Sequence, residues 1–172
     1  PLTGKNITNE DVFRYLRGEK GSVVKVTVIR SSSKQPLDFE IIRGEIPSVS
    51  VDASYIIEDS VGYVRISKFA ANTYAEFLQA ISSLKAKGAT NYIVDLRGNS
   101  GGLLDQAILI ANEFLDPMQN IVEVRGRNMR DNANWMADGS GSFIDAPVIV
   151  LVDEFTASSS EIVAGAIQDN DR

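Results

Sequence analysis

The chain has 172 residues, which is enough for one sizeable hydrophobic core and a small second unit. It contains no histidine and no cysteine, so a Ser-His-Asp triad, a cysteine nucleophile, a Cys/His zinc site and a disulfide framework are excluded within these residues, and we expect no metal and no cofactor. The net charge of −6 without a basic stripe argues against a nucleic-acid partner, and no apolar run reaches the roughly 20 residues of a membrane span.

Residues 1–45 are predicted to form a short helix followed by a strand hairpin. Thr8 and Asn9 can cap a helix over residues 10–17, because their side-chain oxygens can accept a hydrogen bond from a free amide of the first turn. Alternation of apolar and polar residues predicts two antiparallel strands over residues 22–30 and 37–43. The helix residues that we expect to face inward are Val12, Phe13 and Leu16.

The following part of the chain begins a layered α/β pattern. Residues 44–60 contain an Ile-Pro dipeptide and are predicted to be an extended crossing segment. Residues 62–68 alternate as a strand. A capping box of Thr73 and Glu76 is predicted to open a helix that Gly88 ends. The apolar face of this helix is formed by Phe77, Leu78, Ile81 and Leu84.

Two strand-turn-helix units are the most informative features of the chain. The first has a strand over residues 92–96 and then a glycine turn, Arg97–Gly102. The second has an apolar strand over residues 148–152, which we expect to be covered on both faces, and then a serine turn, Asp153–Ser160. Neighbouring parallel strands bring their carboxyl ends to one sheet edge, so we expect the two turns to meet. The core side of the first helix is predicted to comprise Leu103, Leu104, Ala107, Ile108, Ala111, Phe114 and Leu115.

The segment between the two units is predicted to contain one strand and a polar loop. The strand covers residues 121–124, and residues 125–143 form a loop or a loose hairpin. Within it, Trp135 and Met129 are expected to anchor the loop rather than to bind a ligand. The nearest approach to a basic stripe also lies here and consists of Arg125, Arg127 and Arg130, diluted by Asp131 and Asp138.

Ser158 is a candidate nucleophile because a helix is predicted to begin directly after it. The free amides and the partial positive charge of a helix N-terminus favour an alkoxide and a developing oxyanion. Gly101 and Gly102, in the other turn, lack Cβ atoms, so a substrate carbonyl can approach their amides closely. A second interpretation stays open, because Ser158 and Glu161 also match a capping box.

The glycine turn and the lysines set limits on this chemistry. The turn matches neither the dinucleotide fingerprint nor the Walker motif, which leaves ordinary turn geometry as the alternative to a catalytic role. Asp95 and Arg97 are expected to stabilise that turn. Without histidine, the base for Ser158 must be a lysine or a carboxylate. Every lysine precedes the serine turn and none ends an apolar strand near a glycine-rich turn, so the base is expected to be missing.

The chain carries Asp-Leu-Arg-Gly-Asn-Ser-Gly-Gly over Asp95–Gly102, the run Val150–Asp153 followed by a serine pattern over Thr156–Ala166, and the pair Gln168-Asp169. In these segments it resembles the carboxyl-terminal processing proteases, also called tail-specific proteases, which are Ser/Lys endopeptidases. The resemblance implies an α/β fold in which a ClpP/crotonase-like layered β/α protease core, residues 46–172, follows a PDZ-like part, residues 1–45. Only the second half of a PDZ domain is matched, so its peptide groove is expected to be half built.

The same resemblance implies roles for individual residues. Ser158 is then the nucleophile, and the backbone amides of Ser159 and Gly101 form the oxyanion hole, with Gly102 as a neighbour. The resemblance also implies a catalytic lysine in a Phe-Gly-Lys-Gly turn after the next strand, and the chain stops at Arg172 before such a turn. We therefore expect no catalytic lysine in this chain and no activity from the chain alone.

The function implied by the resemblance is that of a serine endopeptidase of the C-terminal processing type. Such an enzyme cleaves protein or peptide substrates near apolar C-terminal tails, and the resemblance places it in the bacterial periplasm or cell envelope. The alternative is a non-catalytic module on the same fold that binds hydrophobic ligands or peptides. Retention of the serine turn together with the glycine turn favours the protease.

Overall fold

The computed structural model describes residues 6–32, 35–44, 49–58 and 60–172. The chain divides into two compact units, Pro1–Pro47 and Ser48–Arg172. Part of the extended segment predicted over residues 44–60, namely residues 45–48 and 59, lies outside the described residues. No helix in the described part of the chain has the length and apolar character of a membrane-spanning segment.

The first unit contains the helix and the strand hairpin that the sequence predicts. Helix α1 (Asn9–Leu16) is capped by Thr8, whose Oγ1 accepts the Asp11 amide at 3.2 Å while the Asp11 carboxylate accepts the Thr8 amide at 3.1 Å. Strands β1 (Val23–Val28) and β2 (Leu37–Ile42) pair antiparallel along their whole length. The local patterns of capping and alternation therefore determine this unit's secondary structure.

The predicted inward face of α1 is wrong. None of its residues is buried, and Phe13 and Leu16 are 49% and 41% exposed. The Arg17 guanidinium covers one side of the Phe13 ring, 4.0 Å from its centroid. A helix and a two-stranded hairpin offer too little surface to enclose a core, so the apolar stripe of α1 finds no buried place within this unit.

The second unit is a layered α/β structure, which confirms the predicted fold class. Its elements are β3 (Val51–Glu58), β4 (Val61–Ile66), α2 (Thr73–Ala86), β5 (Asn91–Asp95), α3 (Leu104–Asn112), β6 (Asn120–Val124), a 3₁₀ turn (Met129–Asp131), β7 (Ala133–Met136), β8 (Val148–Leu151) and α4 (Ser159–Asp169). Four strands form a sheet in the order β3-β4-β5-β8, in which β4, β5 and β8 are parallel and β3 is antiparallel. Strands β6 and β7 form a separate antiparallel hairpin.

The hydrophobic core lies between one face of this sheet and the three helices of the unit. Val64 of β4 and Val94 of β5 point to that face and are fully buried. Helices α2, α3 and α4 cover them with Ile81, Ile110 and Val163, which are also fully buried. Burying each such side chain contributes roughly 1.5–3 kcal/mol. The core therefore fixes the strand register that brings the two functional turns to the same edge.

The prediction that β8 is covered on both faces is wrong for the described residues. Ile149 is 60% exposed and Val152 is 52% exposed. On the same open face the rings of Tyr55 and Tyr63 stack with their centroids 4.9 Å apart. A short β-branched run is typical of a doubly covered strand, but it does not report which element lies against the second face, and β8 is an edge strand here.

The predicted capping box of Thr73 and Glu76 is also wrong. Helix α2 is capped at Asn72, and the Thr73 hydroxyl accepts the Ala70 amide at 2.7 Å and donates to the Ser50 hydroxyl at 2.7 Å. The Glu76 carboxylate accepts the Ser50 amide at 2.7 Å. These polar groups thus hold the beginning of β3, a strand for which the sequence predicted only an extended segment.

The segment over residues 125–143 supplies only one strand of the observed hairpin, β7, which pairs with β6 outside the segment, so the bounds of the predicted loose hairpin are wrong. Trp135 packs against the core as expected, whereas Met129 is 88% exposed, so the anchoring role predicted for Met129 is wrong. Leu103 and Leu104 are 46% and 36% exposed, which corrects their predicted place in the core. These two residues lead from the glycine turn into α3 before its apolar stripe begins.

Candidate active site

The glycine turn and the serine turn lie together at the carboxyl edge of the sheet, as the two strand-turn-helix units predicted. Strands β5 and β8 are paired in parallel, and the Leu96 amide extends the pairing by donating to Leu151 at 2.9 Å. The backbones then meet so closely that a Cβ atom on Gly101 would lie 2.7 Å from the Cβ of Ser158. Only glycine fits at this contact, which explains why a glycine stands opposite the serine.

Hydrogen bonds between the two turns hold them in this arrangement. From the serine turn, Thr156 Oγ1 donates to the Leu96 carbonyl at 2.9 Å, and the Asp153 carboxylate accepts the Gly98 amide at 2.9 Å. The bond from Gly98 lowers the pKa of Asp153. Further contacts are the bonds to Asn99 O from Ala157 N (3.1 Å) and Ser160 Oγ (3.0 Å), and the bond from Ser159 Oγ to Gly102 O (2.9 Å). The relative position of the two turns is therefore set by several independent bonds.

The three adjacent serines differ in their exposure to solvent. Ser158 is exposed, whereas Ser159 is 2% exposed and Ser160 is fully buried, and both buried hydroxyls donate to carbonyls of the glycine turn. Ser158 has φ 55° and ψ −120°, a conformation that costs a non-glycine residue about 1–3 kcal/mol. Glu161 supports it by accepting the Ser158 amide at 2.6 Å, so the predicted capping box is present around the same residue. A cap and an exposed hydroxyl on a strained turn therefore coexist at Ser158.

Asn99 is the buried centre of the glycine turn. It is fully buried, its Nδ2 donates to the Ile66 carbonyl at 2.8 Å, and its Oδ1 accepts the Gly101 amide at 2.9 Å. Its backbone carbonyl is the acceptor for both Ala157 and Ser160. The Gly101 amide, which the family resemblance implies for the oxyanion hole, is thus already engaged by Asn99 in this structure.

The neighbouring peptide unit offers a different amide. The Gly101 carbonyl accepts the Phe69 amide at 3.0 Å, and this bond fixes the peptide plane that carries the Gly102 amide. A Cβ on Gly102 would lie within 2.1 Å of the Phe69 carbonyl oxygen, so glycine is required here too. Among the described residues no hydrogen bond uses the Gly102 amide, and the Ser159 amide belongs to the first turn of α4, where helical partners are lacking.

A groove of about 520 Å³ begins at Ser158 and runs between α4 and the edge of β6. Its carboxylates are Glu123, Glu161 and Asp169, and its apolar lining includes Ile121 and Ile162. None of the lysines in the described part of the chain lines it. The groove therefore presents the exposed Ser158, and no lysine in the described ranges brings an amine into it that could take the proton of Ser158.

A second polar cluster lies at the same sheet edge, on the open face. Asp95 is 1% exposed and accepts bonds from the Arg97 amide (2.9 Å), from the Arg97 guanidinium and from the Tyr63 hydroxyl (2.5 Å). Burial alone would raise the pKa of Asp95, but the bonds from Arg97 and Tyr63 outweigh it and hold the pKa at about 2. All of these bonds lie within the turn and its neighbouring strand, which fits a turn-stabilising role for Asp95 and Arg97. No group of acidic side chains in the described ranges is arranged to hold a metal ion.

The sequence matches peptidase family S41 over residues 60–172. It is 36% identical to a carboxy-terminal-processing protease of Bartonella bacilliformis, with 99% of this chain and 40% of the relative aligned, and 37% identical to a carboxyl-terminal-processing protease of Synechocystis sp., with 98% and 39% aligned. Among solved structures, a photosystem II D1 C-terminal processing protease matches with a TM-score of 0.62 and 26% identity over 90% of this chain and 43% of that one. An S41 protease structure from Bacteroides fragilis, 22% identical, shares the fold with a TM-score of 0.59 over 86% of this chain and 44% of that one. The chain thus spans about two fifths of the length of these curated relatives.

Proposed function

The chain belongs to peptidase family S41, and from this premise we propose that it carries the nucleophile and the oxyanion hole of a serine endopeptidase of the C-terminal processing type. The observation that supports this proposal most is the exposure of Ser158 beside two buried serines whose hydroxyls are already bonded. Ser158 is the nucleophile. The Ser/Lys pairing is completed by a lysine that lies outside these 172 residues, as the resemblance to the family implies.

In the proposed reaction the lysine amine takes the proton of Ser158, and Oγ attacks the scissile carbonyl carbon. The resulting oxyanion is held by the amides of Ser159 and Gly102, because Asn99 already occupies the Gly101 amide. The proton then passes to the leaving amine as the C–N bond breaks, which leaves an ester on Ser158. Water attacks that ester while the base takes a proton from the water, and the base then gives this proton to Ser158 Oγ as the acyl C–O bond breaks, so that the new C-terminal carboxylic acid leaves and the free hydroxyl is restored.

The proposed substrates are proteins or peptides that present apolar C-terminal tails. The names of the relatives support processing at a carboxyl terminus, and the resemblance implies that the tails are apolar. The first unit is proposed to be the C-terminal part of a PDZ-like domain, residues 1–45, placed before the protease core, residues 46–172. The proposed location is the bacterial periplasm or cell envelope. The groove of about 520 Å³ beside Ser158 is the proposed place for the substrate chain.

The test is an alanine series over the three serines in the full-length protein, with cleavage of an unfolded protein as the readout. Ser158→Ala is expected to abolish cleavage, because loss of one member of a catalytic pair removes most of the rate. Ser160→Ala should retain substantial activity, and so should Ser159→Ala, since alanine keeps the backbone amide. The 172-residue chain alone should be inactive.

Other outcomes would point elsewhere. Cleavage that survives in Ser158→Ala but is lost in Ser159→Ala or Ser160→Ala would assign the nucleophile to the serine whose substitution abolishes cleavage. Activity in all three variants would show that Ser158 only caps helix α4 and is not the nucleophile. If the full-length protein cleaves nothing yet still binds peptides, the non-catalytic binding module on the same fold would be the better description.

A further inference from the structure

The hairpin of β6 and β7 carries an exposed tip, Arg125–Asn132, that combines basic and apolar side chains. Arg125, Arg127 and Arg130 lie within six positions of a chain whose net charge is −6. Met129, between two of these arginines, is 88% exposed and is the most exposed of the large apolar side chains described. Such an exposed thioether is a soft, adaptable contact for another apolar side chain.

Two of the three guanidinium groups are available for a ligand. Arg125 is committed to Glu123, with its Nε 2.8 Å from Oε1 and its terminal nitrogen 2.9 Å from Oε2. Arg127 and Arg130 are exposed, and their side chains make no ion pair or hydrogen bond with any residue that the structure describes, the neighbouring Asp131 included.

The tip is a folded structure that presents these groups in a defined arrangement. The Gly126 amide donates to the Asn132 side chain at 2.9 Å, and the Asp131 amide donates to the Asn128 carbonyl at 3.0 Å. The backbone at Gly126 lies so close to Asp131 that an added Cβ would come within 2.4 Å of it. A braced tip loses little conformational entropy when it binds a partner.

The tip continues the groove beyond the candidate nucleophile. At one end of the groove the Asn170 side chain donates to the Asn120 carbonyl at 2.9 Å, and at the other end Glu123 lines the groove together with Ser158. Strand β6 therefore runs from the far end of the groove toward Ser158, and the tip follows directly. Four further residues of extended chain cover about 13 Å, so a peptide that passes Ser158 reaches the tip within a few residues.

We propose that this tip binds a carboxylate that lies next to an apolar side chain on the polypeptide in the groove. Arg127 and Arg130 hold the carboxylate, because a planar guanidinium donates two parallel hydrogen bonds to it. Met129 contacts the adjacent apolar side chain. The identity of the occupant as a polypeptide rests on the proposed function, whereas the carboxylate chemistry rests on the free arginines.

The test is methyl NMR of the 172-residue chain with its three methionines labelled. The probe is an acetylated Gly-Gln-Gly-Val-Leu peptide with a free C-terminal carboxylate. We expect the Met129 methyl signal to shift saturably, while that of Met118, 71% exposed at the opposite end of the hairpin, stays in place. The affinity should fall as salt is added, because exposed charges are screened.

Substitutions and altered peptides identify the chemistry. Arg127→Gln and Arg130→Gln should each weaken binding about threefold or more, and the double variant should abolish the saturable shift. The control Arg65→Gln removes the same charge from an exposed arginine on β4 and should bind as the wild type does. An amidated peptide should not bind. An amidated peptide with aspartate in place of valine carries a side-chain carboxylate but no terminal one. Binding of this peptide would show that a side-chain carboxylate is sufficient, and no binding would show that the chain terminus is required.

The inference is overturned if the amidated probe shifts Met129 as strongly as the free acid does, if the double variant binds like the wild type, or if no peptide moves the signal. Because this measurement needs no catalysis, its failure is distinct from failure of the proposed function. Undiminished cleavage by the Ser158→Ala variant would refute the proposed nucleophile and leave the Met129 titration to be judged by itself.

Discussion

Single residues decide how closely the two turns approach each other. Gly101 has φ +97°, and a side chain there would meet both Ser158 and the Ala157 carbonyl, at 2.7 and 2.8 Å. Backbone atoms cannot yield as a flexible side chain does. The contact between the turns therefore depends on the missing Cβ as much as on the hydrogen bonds around it.

We predict that Gly101→Ala lowers the free energy of unfolding by about 2 kcal/mol or more, since it adds overpacking to a strained backbone. The measurement is urea unfolding of the 172-residue chain. The matched control is Gly165→Ala in α4, where an added Cβ meets nothing within 4 Å and a gain of up to about 1 kcal/mol is expected. Equal effects of the two substitutions would contradict the close contact at Gly101.

The buried carboxylate of Asp95 should make the free energy of unfolding depend on pH in the acid range. Its pKa is about 2 in the folded protein, below the ordinary value of 3.8, so its contribution to stability is present above about pH 4 and is lost as the pH falls toward 2. Asp95→Asn should therefore destabilise the chain by about 2 kcal/mol at pH 6 and by much less near pH 2.5. Urea unfolding at several pH values measures this difference, with Asp116→Asn as an exposed control. A difference that does not change with pH would show that Asp95 does not act through its charge.

Part of the candidate site could be predicted at this scale. The glycines of one turn and the serines of the other indicated that backbone and hydroxyl would meet, and strand pairing brings Gly101 to Ser158 as expected. The bond from the Gly101 amide to Asn99 could not be predicted, because nothing in the sequence distinguishes an asparagine that folds back onto its own turn from one that faces solvent. The burial of Ser159 and Ser160 is likewise a property of the packed turns.

At the scale of elements, prediction succeeded where a pattern was local and failed where it depended on a neighbour. The hairpin of the first unit follows from alternation alone. The capping box at Thr73 fits its motif, yet in the fold both of its polar groups serve β3, which is distant in sequence. The prediction that β8 is covered on both faces failed for the same reason, because an apolar run indicates burial but does not show which layer covers each face.

The buried pair of Thr73 and Ser50 can be tested directly. Thr73→Val keeps the shape of the side chain but leaves the Ser50 hydroxyl and the Ala70 amide without their partner. We expect a loss of about 1–3 kcal/mol in the free energy of unfolding, which is the cost of unsatisfied buried polar groups. Thr90→Val, at an exposed threonine, is the control and should change stability by less than about 0.5 kcal/mol. A neutral Thr73→Val would mean that the pair does not hold β3.

At the scale of the whole molecule, the second unit combines a parallel sheet, three covering helices and two turns at one edge. The core fixes the strands, the strands place the turns, and the turns leave the Ser158 side chain exposed while the two neighbouring serines are bonded and buried. The groove and the hairpin tip continue this edge into the surface that we propose to bind a polypeptide. No lysine in the described ranges lines the groove, and the base for Ser158 stays a proposal.

The most direct test of Ser158 as the nucleophile is covalent labelling of the full-length protein with a fluorophosphonate, followed by peptide mapping by mass spectrometry. The probe reacts with an activated serine hydroxyl, and its tetrahedral phosphorus needs the same amides as the oxyanion. We predict a single adduct on Ser158, no adduct in Ser158→Ala, and undiminished labelling in Ser160→Ala. An adduct on another residue, or a folded protein that cleaves substrate yet never carries the label on Ser158, would contradict the account.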